Sequence, residues 1–115
     1  MKTLSGLIIS AALSGLTGCA TTGWFNGQVW QQRGDYILIT RNDELYLEKL
    51  DGSDRRQLTH TPGCAESRAR FVGDGKYIVY AEHRTSFDGV PFIIPADGDD
   101  SKKKEITLSQ FETLQ

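Results

Sequence analysis

Four side chains of this 115-residue sequence could act near neutral pH as nucleophiles, metal ligands or bases: Cys19, Cys64, His60 and His83. His60 and Cys64 lie four residues apart in "HTPGC", which could bring two metal ligands together. Structural zinc generally takes four ligands, so this pair alone predicts no metal site. Both histidines lie in loop-like stretches without a nucleophile at a fixed spacing, and no Gly-x-Ser-x-Gly turn is present. The sequence therefore predicts solvent-exposed loop histidines and a non-catalytic protein.

The stretch before Cys19 has the layout of a secretory signal peptide. One charge, at Lys2, precedes an apolar, small-residue run from Leu4 to Leu16 that contains no ionisable group. The run is about 13 residues long, whereas an α-helix needs about 20 to cross a bilayer. We expect residues 1–18 to be an export signal that is removed.

The run ends in Leu16-Thr17-Gly18-Cys19, which resembles the lipobox of bacterial lipoproteins. The resemblance implies cleavage between Gly18 and Cys19, followed by a diacylglyceryl thioether and fatty acyl chains such as palmitate on Cys19. This covalent lipid is the one cofactor that we expect. Two or three acyl chains hold a protein on a bilayer almost permanently. Because Ala20 and not aspartate follows the cysteine, the resemblance implies, for a bacterium with two membranes, the outer membrane, facing the periplasm.

Lipidation of Cys19 would leave Cys64 as the solitary thiol of an exported protein. The simpler interpretation of Cys64 is a half-buried small residue in a loop. The alternative is a reactive or intermolecularly paired thiol.

Composition bounds the mature chain to one small domain. From Cys19 onward it has 97 residues, with 12 basic and 15 acidic side chains and a formal charge of −3. It has no basic face, so we expect no nucleic-acid partner. The lysine run 102–104 indicates a solvated turn or strand edge, and the acidic stretch 97–100 indicates a turn rather than a calcium loop.

Strand signals dominate the mature chain, which predicts an all-β fold. No stretch has a convincing helical period, although the last residues could form one turn. The strand candidates are "DYILIT" (35–40), "ELYLEKL" (44–50), "KYIVYA" (76–81) and "VPFIIPA" (90–96).

The mature chain also repeats itself once, first with an offset of 41 residues and then, after an insertion around "HRTSFDG", with an offset of 46. Each copy predicts four short strands. Four antiparallel strands in about 40 to 45 residues are typical of a β-propeller blade. The matched positions are Trp30 with Phe71, Tyr36–Thr40 with Tyr77–Ala81, Tyr46-Leu47 with Phe92-Ile93, Asp51-Gly52 with Asp97-Gly98, and Leu58-Thr59 with Ile106-Thr107.

Residues 45–84 resemble the repeat of TolB-type β-propellers. The matching motifs are Asp51-Gly52-Ser53, the basic pair Arg55-Arg56, Leu58-Thr59, Phe71 and Asp74-Gly75-Lys76, followed by an apolar strand. Val72-Gly73 departs from the usual Ser-Pro, and Cys64 replaces a polar residue. The resemblance implies propeller blades and contact with other envelope proteins.

Two blades make an incomplete propeller, because closed propellers have about four to eight. The two sheets must pack on each other, self-associate through open blade faces, or belong to a longer protein. We do not expect the tail to be a capping element, although Phe111 and Leu114 could cover one exposed edge. The predicted organisation is a signal peptide at 1–18, a lipidated N-terminus and linker at 19–27, blades at 28–60 and 61–108, and a tail at 109–115.

The leading hypothesis is a non-catalytic envelope lipoprotein, anchored to the bilayer by its acyl chains, that binds other envelope proteins. The predicted contact surface is the long second-copy loop with His83, Phe87 and Asp88. The alternatives are a truncated or split part of a larger propeller protein, including the propeller of a peptidase-like enzyme, and a small-ligand sensor.

Overall fold

The computed structural model describes residues 25–84 and 89–115, which are predominantly β-strand. The export signal, Cys19 and the loop residues Phe87 and Asp88 lie outside this part of the chain. The strands are β1 (Gln28–Arg33), β2 (Tyr36–Arg41), β3 (Glu44–Lys49), β4 (Arg55–Gln57), β5 (Ala65–Val72), β6 (Tyr77–His83), β7 (Val90–Pro95) and β8 (Lys104–Glu105), and a short helix α1 (Leu108–Thr113) follows them.

The eight strands form two antiparallel sheets in which neighbours in sequence are neighbours in space. β1 to β4 make the first sheet and β5 to β8 the second. The predicted all-β class, with two four-stranded antiparallel sheets, is therefore confirmed. The four strand candidates named from sequence match β2, β3, β6 and β7 to within one or two residues.

The hairpin between β2 and β3 shows how local sequence sets the register. Asn42 and Asp43 both have positive φ angles, 52° and 68°. Two consecutive positive angles define the type I′ turn, whose twist matches that of paired strands. The turn pairs Arg41 with Glu44 and places every later β3 residue opposite its β2 partner.

The predicted alignment of Trp30 with Phe71 is wrong. The hairpin turn after β1 contains only residues 34–35, whereas the turn after β5 contains residues 73–76. Counted back from the turns, Trp30 therefore occupies the position of Ala69. Trp30 and Phe71 still both pack against the core between the sheets.

The main core lies between the two sheets, which pack face to face. Side chains alternate across a strand, so Leu38 of β2 points toward the second sheet while Ile37 points away from it. From β6, Ile78 and Tyr80 point toward the first sheet. The buried members of this core are Leu38, Leu45, Leu47, Leu58, Ala69, Ile78, Tyr80, Phe92 and Ile94.

The other face of the second sheet is covered by α1. Phe111 is 3% exposed and packs with Val72, Val79 and Ala81 in a second core cluster. Arg70 ties the helix down by donating to the carbonyl oxygens of Phe111 and Leu114. The expectation that the tail is not a capping element is therefore wrong, because Phe111 covers the part of this face formed by Val79 and Ala81, although Tyr77 on the same face is 44% exposed.

The corresponding outer face of the first sheet carries Val29, Ile37, Ile39 and Tyr46, and we call it the open face. None of these residues belongs to either core cluster; Val29 is 46% exposed, whereas Ile39 is 4% exposed. The second sheet carries α1 on its own outer face, which contains Val79 and points away from the first sheet. Among the described residues, no helix has the length and apolarity to span a membrane.

Candidate functional site

A cavity of about 720 Å³ opens between the two sheets, at the end where the turns after β1 and β5 lie. We call it the inter-sheet cleft. Its floor and walls include Leu47 and Phe71 from the two facing sheets. Three cationic and three anionic side chains line it: Arg33, Arg56, Lys76, Asp35, Asp74 and Asp97.

Arg56 reaches across the cleft from the first sheet to the second. Its Nη1 donates to the carbonyl oxygen of Ala96 at 2.8 Å. The same side chain runs over Gly98, where a Cβ atom would lie 3.1 Å from Cδ of Arg56. The guanidinium is therefore held at a fixed position, half-buried, with further N–H donors unused in the described structure.

Arg33 approaches the cleft from the end of β1. Its Nε lies 2.8 Å from the position of a Cβ on Gly75, a residue whose φ angle of +83° already favours glycine. Within the described residues, neither Arg33 nor Lys76 belongs to an ion pair. The cleft thus presents cationic groups that the described part of the protein does not neutralise by direct contact.

Buried carboxyl groups lie at the end of the sheet interface that is opposite to the inter-sheet cleft. Glu66 of β5 and Glu82 of β6 are direct cross-strand partners, and they are 0% and 2% exposed. Glu82 binds Arg84 at 3.0 Å and Lys103 at 2.9 Å. Its charge is therefore compensated by two cations.

Glu66 has no cationic partner among the described residues. The hydroxyl of Thr61 donates to its Oε1 at 2.5 Å, whereas its Oε2 has no hydrogen-bond partner in the described structure. Burial, with a smaller contribution from Glu44 and Glu82, raises the pKa of Glu66 to about 9. Glu66 is therefore protonated at neutral pH.

The nearby hydroxyl of Tyr80 is also buried without a hydrogen-bond partner among the described residues. Burial and the surrounding carboxylates raise the pKa of Tyr80 as well. No group of three or more His, Cys, Asp or Glu side chains in the described ranges is placed to hold a metal ion.

His83 is not the exposed loop residue that the sequence predicted. It ends β6, is 5% exposed, and its Nε2 lies 2.6 Å from Oγ of Ser67. A serine–histidine hydrogen bond can activate a nucleophile, but both residues are buried, and a Cβ on Gly89 would lie 3.3 Å from the imidazole. His83 therefore packs inside the fold and offers no contact surface. The proposed contact residues Phe87 and Asp88 lie outside the described residues.

His60 is an exposed loop residue, as the sequence predicted. Its side chain is 53% exposed, and Nδ1 lies 3.2 Å from Oδ2 of Asp100. Asp99, within the acidic stretch, caps a 3₁₀ turn by accepting from the backbone of Ser101. That stretch is a turn, in agreement with the sequence. Lys103 differs from the prediction of a solvated side chain, because it is 22% exposed and bound to Glu82.

Cys64 is not a solitary thiol. It is 1% exposed and disulfide-bonded. The chain has only one other cysteine, Cys19, which lies outside the described residues. The expectation of a free thiol is therefore wrong. Which cysteine pairs with Cys64 depends on whether Cys19 carries a lipid.

The open face combines apolar and cationic groups. Arg41 binds Glu48 through both Nε and Nη2, at 2.6 and 2.9 Å, and Arg55 adds a contact of 3.1 Å. The hydrogen bonds from Arg41 lower the pKa of Glu48. Two arginines that share one glutamate thus lie beside the apolar strip of this face.

Sequence reasoning missed Arg33 and Glu66, and it named Arg56 only as a basic residue of the repeat motif. For Arg56 a signal existed, because it lies two residues before Leu58 in an alternating pattern and so faces inward from β4. For Glu66 no local signal existed, since its burial results from the packing of the other sheet on β5. Compared with known protein families, characterised proteins and solved structures, the chain has no significant match.

Proposed function

We propose that this chain is a lipid-anchored protein of the bacterial envelope, without catalytic activity, that binds other proteins. Leu16-Thr17-Gly18-Cys19, placed directly after an apolar export segment, supports the anchor. Even fully extended, the chain from Cys19 to Gln28 spans only about 30 Å. A partner would therefore be met close to the membrane.

The folded part of the proposed protein consists of two propeller-type blades of the TolB kind. Two four-stranded meanders that follow one another in the chain support this proposal. The direction of stacking supports it as well. Leu38 and Val79 occupy equivalent positions of the repeat; Leu38 faces the second sheet, and Val79 faces α1. Both sheets therefore stack in the same sense, and α1 lies where a third blade would stack. Terminal caps of this kind are a general requirement of repeat proteins.

The open face is the observation that carries the protein-binding part of the proposal. It is the apolar sheet face of the described structure that α1 leaves uncovered; Val29 is exposed there, Tyr46 is half-buried, and Ile39 is buried. Its arginines favour a partner with an acidic surface. They disfavour a symmetric pair of copies, in which Arg41 and Arg55 would meet like charges.

A second candidate follows from the disulfide at Cys64. If Cys19 is exported without being lipidated, it can form a disulfide with Cys64. That disulfide would hold the N-terminus against the start of β5, and the protein would carry no lipid. The two candidates exclude each other, since the thioether and the disulfide need the same sulfur atom. In the lipidated protein, the disulfide partner of Cys64 would be a cysteine of another molecule.

The anchor is tested by Cys19→Ser. We expect loss of acyl labelling and of membrane fractionation in bacterial cells, with an unchanged β-sheet circular dichroism spectrum. The matched control is Cys64→Ser, which should keep its label. Equal labelling of the wild type and Cys19→Ser would contradict the anchor.

The contact surface is tested with a photo-crosslinking residue at position 46. We expect an adduct with a different envelope protein from position 46, and none from the control position 77, where Tyr77 of the second sheet is 44% exposed and so more accessible than the half-buried Tyr46. An adduct only between copies of this chain would replace the proposal by self-association. No adduct from position 46 would contradict the proposed surface.

The same stacking geometry also fits the alternative of a truncated or split propeller. A longer form of the chain with further Asp-Gly and Leu-Thr repeats would place another blade beside the two described here. The functional part would then lie in that longer protein.

A further inference from the structure

We propose that the inter-sheet cleft binds a small organic carboxylate with an aromatic or aliphatic body. Its volume of about 720 Å³ lies within the usual range of roughly 300 to 1,000 Å³ for ligand sites. The cleft is formed by both sheets, so a ligand there would contact both halves of the repeat. This site does not depend on the lipid anchor or on the open face.

The anionic group of the ligand is assigned to Arg56. Its guanidinium is fixed by the bond to Ala96 and by Gly98, and it is the half-buried charge among the six that line the cleft. A planar guanidinium with unused N–H donors matches a carboxylate in geometry and charge. Arg33 and Lys76 stand at the more exposed rim, where they can move toward the same group.

The body of the ligand is assigned to the apolar wall. Leu47 and Phe71 face the cleft from the two sheets, and Tyr36 completes the wall. Two hydrogen bonds hold this wall in place. The backbone N–H of Phe71 donates to Oε1 of Gln31 at 2.7 Å, and the Tyr36 hydroxyl donates to Asp54 at 3.0 Å.

The charge balance restricts the kind of anion. Three aspartates, at positions 35, 74 and 97, offset the three cations of the lining. A polyanion such as a polyphosphate would meet these aspartates and be repelled. A ligand with one carboxylate and a compact apolar body satisfies Arg56 and the wall without that repulsion.

The test measures binding of N-acetylphenylalanine and of its uncharged amide to the folded protein by NMR chemical-shift titration. We expect the acid to bind about tenfold more tightly than the amide, because a hydrogen bond to a charged group is lost in the amide. The shifted resonances should include those of Gly75, Ala96 and Gly98. The ligand carboxylate could come from a peptide C-terminus or from a free small acid, and an N-terminally blocked tetrapeptide that ends in phenylalanine distinguishes the two. Tighter binding than that of the small acid assigns the site to peptide C-termini, and equal binding assigns it to free small acids.

Arg56→Gln should weaken binding of the acid by about tenfold and leave binding of the amide unchanged. The matched control is Arg55→Gln, since Arg55 is the adjacent residue of β4 but points to the open face and contacts Glu48. Arg33→Gln, at an exposed position, provides a second variant in case Arg56→Gln fails to fold. Equal affinities of acid and amide, shifts outside the cleft, or no saturable shift at millimolar probe would overturn the proposal.

Discussion

Glu66 is a carboxyl group that folding removes from water and that has no cationic partner among the described residues. Its pKa rises from 4.5 to about 9, so the native protein binds a proton there that the unfolded chain has already released at neutral pH. The contribution of this group to stability is therefore greatest below pH 4.5 and declines as the pH rises to about 9. At pH 7 the loss is roughly 3 kcal/mol, since each pH unit above the ordinary pKa is worth about 1.4 kcal/mol.

Glu66→Gln should stabilise the protein because the amide keeps the hydrogen bond from Thr61 and needs no proton. We expect a gain of roughly 2 to 3 kcal/mol in the free energy of unfolding at pH 7, and little gain at pH 4. Urea unfolding at several pH values measures this. The control Glu105→Gln changes an exposed carboxyl group of β8 and should have no such pH dependence. A stability difference between Glu66→Gln and the wild type that is constant with pH would contradict a protonated Glu66.

The capping helix α1 depends on a few tertiary contacts. Its six residues are too few to form a stable helix alone. Thr107 caps it by accepting from the backbone of Gln110, whose side chain accepts from the backbone of Thr107 in return. The guanidinium groups of Arg68 and Arg70 lie 4.9 and 5.2 Å from the ring centroid of Phe111. Phe111 thus fixes the helix on the sheet.

Phe111→Ala should cost about 3 to 5 kcal/mol in the free energy of unfolding, because it removes a buried aromatic side chain. It should also expose Val79 and Ala81 and promote self-association at high concentration. Urea unfolding and sedimentation velocity measure the two effects. In the same helix, Leu108→Ala changes a side chain that is 55% exposed and should alter stability by less than about 0.5 kcal/mol. Equal effects of the two substitutions would show that α1 does not cap the sheet.

The strands could be predicted from sequence, whereas for the helix the sequence indicated only one possible turn and not its role as a cap. The local sequence is enough to predict a strand when alternating or continuous apolar residues are bounded by turn residues, as in Tyr36–Arg41 and Tyr77–His83. The helix α1 has one buried residue and no apolar period, so only the sheet face beneath it indicates its role. Likewise, the position of Trp30 depends on turn lengths that a comparison of side-chain types does not reveal.

At the scale of the whole molecule, the sequence predicted where two sheets form but not where a ligand could bind between them. The inter-sheet cleft combines Arg33, Arg56 and Lys76 from three separate segments, and their proximity results from the packing of one sheet on the other. The burial of His83 has the same origin, because its partners Ser67 and Phe25 come from distant parts of the chain. Both features required the tertiary structure.

The central claim, that Cys19 anchors the chain through a lipid, is tested most directly by mass spectrometry of the protein isolated from bacterial envelopes. The protein should be alkylated before any reduction and then digested. We predict an N-terminal peptide that begins at Cys19 and carries the mass of a diacylglyceryl group, separate from the peptide that contains Cys64. A disulfide-linked pair of peptides that joins Cys19 to Cys64, without lipid, would contradict the anchor and establish the exported disulfide-closed domain.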